Sequence, residues 1–349
     1  MTQETALDPE ADGTGPMPAV VEDTDRPIVV VGSHGQSLFM HVTAIPREGE
    51  TVVAFGFEET VDGGKATNQA VAAARYGAPV RFVSVVGNDE RGRRILRYLD
   101  RERIDRRWVE VAAGNTDVGF VMLSPRAIPA IASCSDLSAR LDASFVQTAA
   151  PAIAGASVVV CQLEAPPACA RATFEIARGV GAITVFNPAP MVPLPHGLLE
   201  LADVLVPNQH EAAALVGLEA PPKELADRLA DMAPWAKVIV TAGGAGAFLA
   251  SAGEPILHIE APHVPAVDTT GAGDAFVGAL AACLRDGMKV AEAAAWAVSA
   301  AAMSVMRPGT LEAFVSREMV AAAQDLSMAR SVAILAKSPG QPAPIRHDG

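Results

Sequence analysis

The feature that most constrains the fold is a rhythm in which short, wholly apolar runs alternate with alanine-rich helical segments. Ile28–Val31 is the first such run. A strand wetted on one side alternates apolar and polar residues, whereas one apolar at every position is covered on both faces. Further strands are read at Val80–Val86, Ser157–Cys161, Ile183–Phe186, Val204–Val206 and Val238–Thr241. A helix over Thr67–Tyr76, ended by Gly77, and a charged helix over about Arg91–Arg101 fall between the first of them. The expected architecture is α/β: three layers, α/β/α, around a mostly parallel central sheet.

Two stretches break the rhythm. Residues 38–59 and 116–132 read as extended with no helix of their own, which suggests a small separate sheet. Such a sheet is unstable alone, so it is expected to close over a ligand as a lid or to pair with another subunit. Residues 1–26, rich in Pro, Gly, Thr, Asp and Glu, read as a disordered leader, and residues 331–349 as a flexible tail. The folded part is then expected over residues 27–330.

The formal charge of −13 argues against a nucleic-acid or anionic-membrane binder, so a phosphate ligand must be held by backbone donors and a few cations. The four cysteines show no CxxC spacing and the seven histidines no HExxH pair, so neither zinc nor redox chemistry is suggested. No apolar stretch is long enough to span a bilayer, and no signal-peptide pattern precedes the first strand. The cytoplasm is the expected location.

The chemistry concentrates in VDTTGAGDAFVGAL, Val267–Leu280. Gly271, Ala272 and Gly273 keep bulk away from a helix start, where backbone N–H groups and the helix dipole favour an anion. Asp274 stands in the same place. It is either a helix cap or a base taking a proton from a hydroxyl that attacks a phosphate.

Other strand ends carry compatible groups. Gly63 and Gly64 let a small ligand approach backbone, Lys65 either balances a phosphate or is solvated, and Asn68 can donate to and accept from a hydroxyl. Glu164 ends an apolar strand. Asn208 and Glu211, one helical turn apart, form either a capping pair or hard oxygen ligands for magnesium and its waters. Thr241, Gly243, Gly244 and Gly246 form a glycine-rich strand end able to cradle a nucleotide. Neither a Walker A loop nor a GxGxxG turn is present.

Over about residues 27–330 the chain resembles the ribokinase family of carbohydrate kinases, in the PfkB-type superfamily. GGKATNQAVAAARYGA from Gly63 and DTTGAGDAF from Asp268 carry the resemblance, supported by Asn187-Pro188-Ala189-Pro190 and the Asn208/Glu211 pair. It implies transfer of a phosphoryl group from ATP to a sugar hydroxymethyl group. Asp274 would be the base and Gly271, Ala272 and Gly273 the anion hole. Gly63, Gly64, Asn68, Glu164 and Ser37 would contact the sugar. Asn208, Thr241, Gly243, Gly244, Gly246 and Gly273 would lie along the nucleotide, and Glu211 would hold magnesium through water. The projecting sheet would act as the family's lid, excluding water and forming a homodimer contact.

Two departures qualify the expectation. Gly35 and Ser37 stand where the family carries an Asn-x-Asp pair on the sugar. Loss of a charged hydrogen bond costs about 1.5–3 kcal/mol, so the substrate is expected to differ from ribose unless His34 or Gln36 compensates. Asp268, Thr270, Arg307 and Gly309 match the family's potassium loop, but Ala313 replaces a serine that often completes it, which leaves potassium activation open. A nucleoside kinase with Phe39, Phe55, Phe57 and Phe120 under the lid is the alternative enzyme. A catalytically silent sugar-binding regulator is the alternative outside enzymes.

Overall fold

The computed structural model describes residues 26–60, 63–124 and 129–324. The expected leader, apart from Arg26, and the expected tail lie outside these residues, as does Asp62.

Strand β1 (Ile28–Val31) leads into β2 (Gly35–Val42) and β3 (Ala54–Glu59). Helix α1 (Lys65–Arg75), β4 (Val80–Gly87), α2 (Glu90–Arg101) and β5 (Asp105–Ala112) follow. Next come β6 (Asp117–Leu123), β7 (Pro129–Cys134), α3 (Ala143–Thr148) and α4 (Ala150–Ile153). The middle of the chain forms β8 (Val158–Cys161), α5 (Pro167–Gly179), β9 (Ile183–Phe186) and β10 (Val204–Leu205). Helices α6 (Gln209–Val216) and α7 (Pro222–Met232) precede β11 (Lys237–Thr241), β12 (Ala247–Ala250) and β13 (Leu257–Ile259). Helices α8 (Ala272–Arg285) and α9 (Val290–Ser304) follow.

Among the described residues the larger sheet has nine strands, in the order β13-β12-β11-β10-β9-β8-β1-β4-β5. The strands from β11 to β5 along this order are parallel, and the β12–β13 hairpin adds an antiparallel edge. Strand β1 lies inside the sheet with all four residues buried. Ile28 and Val30 face a core shared with α1, α2, α8 and α9. Val29 and Val31 face a second core built with α3 to α7. Each fully buried Val or Ile contributes about 1.5–3 kcal/mol of transfer free energy, so the apolar run fixes β1 between two helical layers.

The two stretches without helices form a separate four-stranded sheet, β3-β2-β6-β7. Strand β2 pairs antiparallel with β3 and parallel with β6, and β6 pairs antiparallel with β7. This small sheet springs from β1 through Gly32–His34 and returns to α1 at Gly63–Gly64.

Candidate active site

Helix α8 begins after Gly271, whose φ of 75° is left-handed. A Cβ there would also meet Thr310 Cγ2 at 2.3 Å, so the position needs glycine on both counts. With glycine as N-cap, the helix has no side-chain cap. Asp274 is the third helical residue rather than the first, and it is buried. Its Oδ2 accepts from Asn68 Nδ2 at 2.9 Å and its Oδ1 from Gln69 Nε2 at 2.9 Å. The carboxylate is therefore oriented by α1 and does not cap its own helix.

Asp274 opens onto a cleft with Lys65, Asn187, Asn208, Glu211 and Thr241, and with Gly271 and Gly273 of the turn. The Ala272 N–H is directed to Thr269 O at 3.3 Å, which leaves Gly271 and Gly273 as the turn residues lining the cleft. Nothing lies within 4 Å of a Cβ built on Gly273, so its backbone is open to close approach.

The other expected sugar contacts gather round the N-terminus of α1. Glu164 Oε2 accepts from Lys65 N at 2.6 Å and from Ser33 Oγ at 3.1 Å, bracing the turn that carries Lys65 and Asn68. Burial raises the Glu164 pKa above its ordinary value. A Cβ on Gly63 would fall 1.9 Å from Gly35 O and 3.0 Å from Ser37 N. One on Gly64 would fall 2.9 Å from Ser33 O. Both glycines are thus required by chain packing on chain, a cause the sequence reading did not assign. Ser37 lies on β2 beside this turn. Asn68 Oδ1 is buried without a hydrogen-bond partner, an acceptor fitted to a ligand hydroxyl.

Of the two proposed compensators, Gln36 keeps a buried acceptor without a partner, its Oε1. His34 is packed, with Nδ1 at 3.0 Å from Thr67 Oγ1, and burial pushes its pKa down to about 4. It is neutral at physiological pH. The Gln36 Nε2 donates to Glu59 Oε1 and Thr60 O, tying β2 to the chain beyond β3. Phe55 and Phe57 are exposed on β3 rather than gathered as a base pocket in this cleft.

Where nucleotide contacts are expected, Asn208 caps α6 in a reciprocal capping box. Asn208 Oδ1 accepts from His210 N and Glu211 N, and Glu211 Oε2 accepts from Asn208 N at 2.8 Å. The capping reading is correct, and both residues also line the cleft. Burial raises the Glu211 pKa. Burial alone would lower that of Lys65, but the fields of Asp274, Glu164 and Glu211 together raise it, so the ammonium stays charged. Lys65, read as either solvated or phosphate-facing, is a cleft cation. Thr241 ends β11, and Gly243 and Gly244 are exposed just beyond it. Gly246 is instead buried, since a Cβ would lie 2.0 Å from Ile259 O.

The expected potassium residues meet across two loops. Asp268 Oδ1 accepts from Thr270 N at 2.9 Å, and its Oδ2 from Gly309 N at 3.0 Å. Burial would raise the Asp268 pKa, but hydrogen bonds from Thr270 and Gly309 outweigh it and hold the carboxyl below its ordinary value. Arg307 is exposed on the second loop, and buried Ala313 offers no hydroxyl. Sequence reasoning missed Gln69, Gln162 and the lining role of Val206 and Val277. Gln69 sits inside a quoted motif, but its partners are distant in the chain.

A family model described as pfkB family carbohydrate kinase matches residues 26–316. A bifunctional ribokinase/ribose-5-phosphate isomerase A of Fructilactobacillus sanfranciscensis is 32% identical over 84% of this chain, which spans 55% of that protein. Schizosaccharomyces pombe ribokinase is 32% identical, over 83% of this chain and 95% of its own length. The structure of Arabidopsis thaliana ribokinase complexed with ribose and ATP is 26% identical and superimposes with a TM-score of 0.79, covering 85% of this chain and 97% of that one. The chain belongs to the pfkB family of carbohydrate kinases, with the ribokinases, and is an ATP-dependent phosphotransferase.

Proposed function

We propose that the chain transfers the γ-phosphoryl group of ATP to a hydroxymethyl group of a small sugar other than ribose, with Asp274 as the base. The observation that carries this reading is the placement of Asp274. Both its oxygens are held by α1 amides, and it faces the cleft shared with Lys65 and the glycine turn. The sugar hydroxyl would give its proton to Asp274 while its oxygen bonds to the γ-phosphorus and the bond to the ADP oxygen breaks. Gly271 and Gly273, at the helix mouth, and Lys65 would stabilise the charge on the transferring group. The free Asn68 Oδ1 would accept from a second sugar hydroxyl, while Glu164, Gly63 and Gly64 hold the wall around it.

Asn208, Thr241, Gly243 and Gly244 would line the nucleotide. The cleft is lined by one lysine and two carboxylates, with Glu164 acting on the same lysine from beside it, so a triphosphate needs added positive charge. Glu211 suits magnesium held through water, since Oε2 is engaged by the cap and Oε1 is left for a water ligand; the ion would neutralise phosphate charge. Potassium would rest on Asp268 and the carbonyls of Thr270, Arg307 and Gly309, a donor set thinned by Ala313.

Substrate choice rests on Gly35 and Ser37, where no carboxylate faces the sugar. The test is ADP release with a panel of pentoses, hexoses, tetroses and nucleosides. Ribose should be a poor acceptor. The pair Gly35→Asn and Ser37→Asp should raise its kcat/KM by about one to two decades, the worth of a charged hydrogen bond. A Cβ at Gly35 has ordinary clearance, 3.4 Å from Asp117 O, so the change fits. Ribose saturating the unmodified enzyme at micromolar concentration would refute the substrate reading.

A further inference from the structure

Behind Asp274 runs a chain of buried amides, of which the proposed transfer uses only the contact of Gln69 with the base. Gln162 Nε2 donates to Gln69 Oε1. Gln69 Nε2 donates to Asp274 Oδ1 at 2.9 Å and to Asn187 Oδ1 at 3.0 Å. Asn187 Nδ2 donates in turn to Val206 O at 2.8 Å. The polarity is self-consistent: the Val206 carbonyl fixes the face of Asn187, and Gln162 and Asn187 together fix the face of Gln69. An amide flip at Gln69 would set its oxygen against Asp274 Oδ1 and its NH2 against that of Gln162. All three amides are buried, and Gln69 is fully so, out of reach of any substrate.

We propose that Gln69 is a positioning residue for the base, itself held in register by Gln162 and Asn187. The inference rests on Asp274 being the base. A carboxylate near a helix N-terminus is drawn towards the local N–H groups. Here one amide on each oxygen turns it onto α1 and leaves the remaining lone pairs for the incoming hydroxyl. The donors are neutral, so they set direction without adding charge to a site where the Asp274 charge already acts on Lys65 from α1, Glu164 beyond β8 and Glu211 from α6. Removal of Gln69's hand-hold frees the carboxylate to rotate away from the reacting hydroxyl, and small misplacements of this kind cost about a hundredfold in rate.

The test is a double-mutant cycle with MgATP and the best acceptor of the sugar panel. Gln69→Met should lower kcat roughly ten- to a hundredfold while both KM values stay within about threefold, the signature of a group acting in the transition state. In an Asp274→Asn background the same substitution should change residual turnover by less than about twofold, because the group it positions is gone. Gln162→Met should shift kcat in the same direction by a smaller factor, and it carries the same comparison if Gln69→Met does not fold. Equal losses in both backgrounds, or a raised KM with kcat unchanged, would overturn the positioning role while leaving Asp274 as base. Near-normal turnover of Asp274→Asn alone would instead remove the base, and the relay with it.

Discussion

At the scale of single residues, Glu211 shows how the site works against stability. Burial holds its pKa above the ordinary value, even though Asn208 N–H and Lys65 favour the ionised form. A carboxyl whose pKa is higher folded than unfolded costs stability wherever both states are ionised. The cost disappears once the pH falls below the unfolded value, where both are protonated. Glu211→Gln keeps an acceptor for the Asn208 N–H and removes the charge. It should therefore raise the thermal midpoint near neutral pH, with the gain closing as the pH falls into the ordinary carboxylate range. The same variant should weaken MgATP binding by roughly tenfold or more, as loss of an outer-sphere metal partner does. Calorimetry across pH and ATP titration check the two together; a midpoint unchanged at neutral pH would contradict the burial argument. Legibility at this scale followed chain distance. Asp274 stood out because glycines and carboxylate are adjacent in sequence. Its partners Asn68 and Gln69 are about two hundred residues away, and no local pattern reveals that they meet it. Gly63, Gly64 and Gly246, whose sequence suggests room for a ligand, are each also fixed by another stretch of backbone.

At the scale of elements, the site depends on how closely α1 and α8 pack. Gly278 sits at their crossing: a Cβ there would lie 2.5 Å from Ala72 Cβ and 2.7 Å from Ala73 N. Gly278→Val should wedge the helices apart, costing about 1–3 kcal/mol or more by overpacking. It should also lower kcat, since α1 carries Asn68 and Gln69 while α8 carries Asp274. Urea unfolding followed by turnover at saturating substrate separates the effects, and unchanged stability would show that the crossing tolerates bulk. The central strands were readable because burial on both faces makes them continuously apolar. Strand β5 was not: it lies at the sheet edge and opens with Asp105, Arg106 and Arg107. The β12–β13 hairpin escaped notice because its strands are short and its partner edge, β11, had already been read as parallel.

At the scale of the molecule, the small sheet presents an unusual surface. Phe57 and Phe55 are 62% and 67% exposed, and Phe120 is 37% exposed. The register places Leu38 between Glu59 and Phe120, so Phe57 and Phe120 share a face. An apolar sheet face of this kind suits a second copy of the chain, the homodimer contact that the family resemblance leads one to expect. Sedimentation should give twice the 36.0 kDa chain mass, and Phe57→Lys should weaken association by roughly tenfold or more, as loss of an aromatic anchor does; a monomeric unmodified protein would refute it. The two segments of the small sheet were legible as helix-free stretches, but their mixed pairing was not, because register between strands far apart in sequence is set by packing. The claim on which all of this converges is that Asp274 takes the proton from the sugar. The most direct test is turnover and ATP binding of Asp274→Asn. ATP affinity should stay near that of the unmodified enzyme while kcat falls by roughly two or more decades. Near-normal turnover in that variant would contradict the mechanism.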